Sequence, residues 1–216
     1  MKHIIRYARL MLGLVLFGIG SYLSIQANVG LAPWDAFQMG IATMFGIQYG
    51  NVVILVGIVI VAANLALGEQ VGVGTILNIL VIGKVIDLLR WLGIVPLIGN
   101  FWLGILVMFL GQVFICVGTY FYIGAELGGG PRDSLMVAIG KRLKKVPIGV
   151  IRGAIEGTVL LLGWLMGSKV GGGTVLAVFG IGFILQTTFR ILHFDVKALR
   201  HESIFETLHL RRRPRT

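Results

Sequence analysis

Six apolar runs, each close to the length of a bilayer crossing, leave this chain few folds to choose from. They lie near residues 10–28, 51–67, 72–91, 101–123, 149–167 and 172–192. A hydrocarbon core about 30 Å thick takes roughly 20 helical residues at about 1.5 Å each. Of the 216 residues, 56% are hydrophobic and only 13% charged, too few polar groups to cover a soluble globule of that size. The expected class is therefore all-α, a polytopic membrane helix bundle of about six spans. The first run follows the charged start MKHIIRYAR and precedes no small-residue cleavage pattern, so it is expected to stay as a span rather than be removed as a signal peptide.

Charge orients the spans. The formal net charge is +10, and 15 of the 19 Lys and Arg residues fall in three groups: Lys2, Arg6 and Arg9; Arg132 with Lys141, Arg142, Lys144 and Lys145; and seven from Arg190 onward. Cytoplasmic flanks carry such an excess, so all three groups, and with them both termini, are expected inside. The outer loops predicted at 29–50, 92–100 and 168–171 hold one such residue, Lys169. Attraction to anionic lipid at the inner face accounts for the basicity without nucleic acid. Residues 194–216 alternate apolar and charged types, with Phe194, Leu199, Ile204, Phe205, Leu208 and Leu210 available to one face. That pattern predicts a surface-lying amphipathic helix ending in a basic tail.

Two further segments, 33–45 and 131–145, each begin with a proline and are too short to cross upright. They belong to an internal repeat. At an offset of 98, Gly13, Gly20, Tyr22, Gly30, Pro33 and Asp35 match Gly111, Gly118, Tyr120, Gly128, Pro131 and Asp133; at 99, Gly50, Gly72, Gly74, Thr75 and Gly83 match Gly149, Gly171, Gly173, Thr174 and Gly182. The chain thus divides into a first membrane repeat at 1–98, a second at 99–193 and the tail at 194–216. Each repeat holds three spans and one short helix opened by proline. An odd number of crossings sends the second copy in from the opposite side, the inverted arrangement common in secondary transporters.

At GLAPWDA (Gly30 to Ala36), GGGPRDS (Gly128 to Ser134) and the G-x-G-T segments, the sequence resembles the YczE/YyaS/YitT group of bacterial integral membrane proteins. The resemblance covers nearly the whole chain. It implies a multi-pass protein of the bacterial cytoplasmic membrane and assigns no chemistry to any residue.

Chemistry must therefore be sought in the polar residues. Asp35 and Asp133 fall two residues after their prolines, where a carboxylate either stabilises the positive end of a helix or faces a solute from broken backbone at membrane depth. Arg132 stands where the first copy has Trp34, so the two elements are not chemically equivalent; Trp34 reads as an interfacial anchor. Charges within spans are costly and suspect. Lys84 and Asp87 are three apart and Arg152 and Glu156 four apart, so each pair is expected to meet on one helical face. These seven residues, Asp35, Asp133, Arg132, Asp87, Glu156, Arg152 and Lys84, are the candidate substrate-binding set. Asn64, Asn78, Gln112 and Gln186 are expected as interhelical hydrogen-bond partners, and the glycines before Thr75 and Thr174 as sites of close helix approach.

No enzyme is expected. His3, His193, His201 and His209 form no H-E-x-x-H, the single Cys116 excludes a thiolate cluster, and neither a phosphate loop nor a nucleophile elbow occurs. No metal or cofactor is implied. The leading expectation is a secondary transporter or channel-like carrier for a small solute or ion, as a single copy or a homo-oligomer. The alternative is a non-transporting anchor or assembly factor that docks cytoplasmic machinery on its basic inner face.

Overall fold

A computed structural model describes residues 2–193; the amphipathic tail expected at 194–216, with His201 and His209, lies outside the described residues. These form eight α-helices and no strand: α1 (Lys2–Gln26), α2 (Pro33–Phe45), α3 (Tyr49–Ala66), α4 (Val73–Leu92), α5 (Phe101–Ile123), α6 (Pro131–Arg142), α7 (Ile148–Leu165) and α8 (Gly172–Ile191). Prolines open α2 and α6, where their missing N–H has no intrahelical partner to lose. The structure extends α1 eight residues before the predicted span, because the charged start continues the helix beyond the apolar run. It ends α6 at Arg142 rather than 145.

Five of the long helices, α1, α3, α5, α7 and α8, are long and apolar enough to cross a membrane. α4 has 20 residues but carries Lys84, Asp87 and Arg90 toward one end. The links between helices gather at two opposite ends. At one, Arg6 Nε donates to the Ala125 carbonyl (2.9 Å), Arg142 Nη2 to that of Leu67 (3.0 Å), and Lys141 pairs with Glu69 (2.7 Å). At the other, Asn28 donates to Ile98 O (3.1 Å), Lys169 Nζ to Asn28 Oδ1 (2.6 Å), and the Leu31 N–H to Lys169 O (3.1 Å). The first is a basic end; the second carries Lys169.

α1 against α5 is the central packing of the bundle. A Cβ built on Gly13 would lie 2.7 Å from the Gly118 carbonyl oxygen, and one on Gly20 would lie 2.5 Å from that of Gly111. Ascending α1 thus meets descending α5, so the two run antiparallel with backbones in contact, a packing only small residues permit. Position 13 matches 111 and position 20 matches 118, so each helix places the same two glycines against the other's in exchanged order.

The same exchange recurs elsewhere. α2 packs on α7 and α6 on α3, whereas the packing of α4 on α1 and of α8 on α5 is matched within each repeat. The Gly74 N–H donates to Leu127 O (2.7 Å), and its counterpart, the Gly173 N–H, to Val29 O (2.8 Å). Gly30 and Gly128 adopt φ of 122° and 129°, a conformation in which glycine alone is unstrained. Each lies against the opposite repeat's glycine-threonine turn: Gly30 beside Gly171 and Thr174, Gly128 beside Gly72 and Thr75. Thr75 Oγ1 also donates to Gly129 O (2.8 Å), satisfying backbone freed by the break before α6.

Candidate functional site

A cavity of about 230 Å³ lies halfway along the long helices, and all eight helices contribute to its wall. Much of the wall comes in matched pairs: Phe17 and Ile115, Ser21 and Thr119, Asp35 and Asp133, Ile82 and Ile181 line it together. Both Pro-x-Asp elements reach it because α2 and α6 start beside it, each held by the opposite repeat. Asn64 Nδ2 donates to Pro131 O at 2.9 Å, and Ser168 Oγ to Ala36 O at 2.6 Å.

Asp35 is 7% exposed and lies in the first turn of α2. Its carboxylate is held in a side-chain network. The hydroxyl of buried Tyr49 stands 3.0 Å from Asp35 Oδ1 and 3.2 Å from Gln38 Oε1, and its one proton serves the nearer carboxylate. Gln38 Oε1 in turn receives Arg132 Nη2 at 3.1 Å. Arg132 also lies 5.0 Å from the centre of the Trp34 ring, a cation-π contact. Trp34 is therefore a half-buried cavity residue facing its own counterpart, in place of the interfacial anchor expected. Asp133 flanks the opposite start: a Cβ on Gly130 would lie 3.2 Å from Asp133 Oδ2 and 3.1 Å from the Tyr122 hydroxyl.

Arg152 and Glu156 meet as their spacing predicts, Nε to Oε1 at 2.9 Å, and both line the cavity. Lys84 and Asp87 do neither. Lys84 Nζ donates to Asn51 Oδ1 (3.1 Å), while Asp87 Oδ1 accepts the Gly50 N–H (2.8 Å) at the start of α3. Gly50 has no side chain, so the neighbouring helix comes close enough for its free backbone donor to capture the carboxylate, and the expected local pair does not form. Of the seven candidates, Asp35, Asp133, Arg132, Arg152 and Glu156 share the cavity; Asp87 and Lys84 are absent from its lining.

Gln38, Tyr49 and Tyr122 are wall residues that the sequence reading did not single out. The two tyrosines had a signal: a buried hydroxyl in an apolar helix needs a partner. Gln112 departs from expectation, for neither of its buried amide atoms has a hydrogen-bond partner in the protein, although the residue lines the cavity. The wall thus carries three carboxylates and two guanidinium groups amid apolar side chains.

Residues 4–190 match the family described as "Family of unknown function (DUF6198)". The chain is 34% identical over 185 residues to the "Uncharacterized membrane protein YczE" of Bacillus subtilis, covering 85% of each. An "Uncharacterized protein" of Haemophilus influenzae is also 34% identical over 185 residues, 85% of this chain and 83% of that one. The "Uncharacterized protein YyaS" of Bacillus subtilis is 28% identical over 195 residues, 88% of this chain and 96% of that one. No solved structure matches the chain significantly.

Proposed function

The chain belongs to the DUF6198 family, a YczE-like group of bacterial membrane proteins, and on that footing we propose that it is a secondary carrier for a small polar solute or ion. The observation that carries this reading is the cavity at mid-length, walled by both Pro-x-Asp elements and by matched residues of the two repeats. Carriers built of inverted repeats bind at such a place, where broken helices put polar groups and free backbone at membrane depth. Irregular backbone there persists only if buried in protein or lining a wet space.

The antiparallel α1 and α5, with exchanged glycine contacts, support two inverted halves of three crossings each. α4 serves as the sixth crossing: Asp87 is tied to backbone, and Arg90 in the last turn reaches the headgroup region. The basic end then faces the cytoplasm with both termini, and anionic lipid lies against it. Within this frame Asp35, Asp133 and Arg132 bind solute from the two half-helix starts, and Arg152 and Glu156 from α7.

The docking-factor alternative draws on the basic face at 141–145. Two of those residues are already engaged in tying loops together, Lys141 to Glu69 and Arg142 to Leu67, which leaves less of the patch for a partner.

The test is flux. Purified protein in proteoliposomes, under imposed proton and potassium gradients, is read with internal pyranine and a panel of labelled amino acids, ammonium and alkali cations. The carrier reading expects movement of at least one of these, lost about tenfold or more in Asp35→Asn and Asp133→Asn at equal protein content. Flux unaltered in both variants, or none above empty vesicles for any probe, rejects it.

A further inference from the structure

Two matched helix pairs in this chain are spaced differently. α3 and α4 pack against each other. A Cβ built on Gly83 would lie 2.6 Å from the Gly50 carbonyl oxygen, Gly57 receives Ile79, and Asp87 holds the Gly50 N–H. The matching positions in α7 and α8 are Gly149 for Gly50, Gly182 for Gly83 and Gln186 for Asp87. Glycine stands at both contact positions, yet a Cβ on either one meets nothing within 4 Å. α7 and α8 do not pack on each other as α3 and α4 do, and α8 lacks the packing on α2 that would match α4 on α6.

The start of α8 is nonetheless held as firmly as that of α4, by the Gly173 N–H to Val29 O bond, 2.8 Å against 2.7 Å for Gly74 to Leu127. A helix fixed at its first turn and unpacked beyond it on one side has room to pivot about that turn. The unpacked stretch adjoins the cavity, for Arg152, Glu156, Ile181 and Gly182 all line it. It also runs toward the basic end, where α7 begins and α8 finishes.

We propose that α8 is a gate controlling access to the cavity from the basic end. It closes by pivoting on the Val29–Gly173 hydrogen bond until Gly182 meets Gly149 as Gly83 meets Gly50. Gln186 then offers its amide oxygen to the Gly149 N–H, the role Asp87 plays in the first half. Closure encloses Arg152 and Glu156 as an ion pair already formed, so no unbalanced charge is taken out of water with them. The present arrangement has the α3–α4 side shut and the α7–α8 side ajar. The proposal rests on the carrier reading and specifies how its site is opened.

The experiment uses the full-length chain in native membranes, with Cys116→Ser and the cavity-lining Thr119→Cys as reporter. A membrane-impermeant maleimide is applied separately to each face, in spheroplasts and in inverted vesicles. The parent is expected to label from both faces. Gly149→Leu fills open space, so it leaves folding intact and obstructs closure; labelling from the basic face then persists while labelling from the opposite face falls about tenfold or more. In parallel, Gly149→Cys with Gly182→Cys in the Cys116→Ser background is oxidised with copper phenanthroline, and a disulfide between α7 and α8 is expected. Equal labelling from both faces in Gly149→Leu, or no disulfide, overturns the gate while leaving the carrier reading standing. A parent that labels from one face alone, or from neither, overturns both.

Discussion

The α3–α4 and α7–α8 pairs share two contact glycines, Gly50 with Gly149 and Gly83 with Gly182, and differ in nearly everything those glycines touch. In the first pair Gly50 and Gly83 bring backbone against backbone, and Asp87 closes the joint with a bond to the Gly50 N–H. In the second, Gly149 and Gly182 face open space, and Arg152 and Glu156 occupy the positions of Val53 and Gly57. Conserving the small residue while changing its neighbour to a charge keeps a contact surface available without filling it. Glycine in a membrane helix therefore marks where helices are able to meet, and its surroundings decide whether they do.

Three matched pairs of substitutions and one single change sharpen this contrast, taken from the largest expected effect. Gly83→Leu drives a side chain into the Gly50 backbone, which has no rotamer to yield, and is expected to cost about 3 kcal/mol. Gly182→Leu is expected to leave stability unchanged, and thermal unfolding in detergent followed by size-exclusion fluorescence separates the two; equal losses would break the comparison. Gly30→Ala and Gly128→Ala each place a Cβ at positive φ against the opposite repeat's turn, and both are expected to cost about 1–2 kcal/mol. Similar losses in the same assay show that the two first-turn attachments are equivalent even though the helix pairs are not.

Asp87→Ala removes the acceptor from the first turn of α3, for about 1 kcal/mol. Gln186→Ala at the matching position should lie within about 0.5 kcal/mol of the parent. Loss of amide-exchange protection at Gly50 and Asn51 in the first variant alone is the diagnostic. Smallest of all, Glu156→Gln breaks a partly exposed i,i+4 pair worth about 0.3–0.5 kcal/mol, discounted further for its exposure. Its unfolding temperature should therefore match that of the parent, while flux in proteoliposomes falls. A large drop in stability would make the pair structural instead.

What was legible in the sequence follows the range of the interactions responsible. The starts of α2 and α6 follow from local chemistry, a proline at the first helical position, and the long helices from runs of apolar residues. The repeat made it legible that Asp35 and Asp133 are counterparts, and the i,i+4 spacing that Arg152 meets Glu156. Partners across the fold were not legible. Asp87 goes to the Gly50 backbone and Lys84 to Asn51 because α3 lies beside α4, a neighbour no helical periodicity names. Tyr49 reaches Asp35 across the short link between α2 and α3, and Arg132 reaches Gln38 over 94 residues. The spacing of α7 from α8 is equally hidden, since Gly149 and Gly182 read the same in sequence as Gly50 and Gly83.

The stacking of Arg132 on Trp34 has a consequence for why the two repeats reside in one polypeptide. These positions correspond, and they face each other in the cavity wall. Were each repeat a separate gene product pairing with an identical copy, the same residue would stand on both sides. Two arginines there would repel, and two tryptophans would leave the Gln38 amide oxygen without its guanidinium donor. Fusion in tandem releases each side to mutate alone, so a cation can face a ring at the one place where a symmetric assembly forbids it.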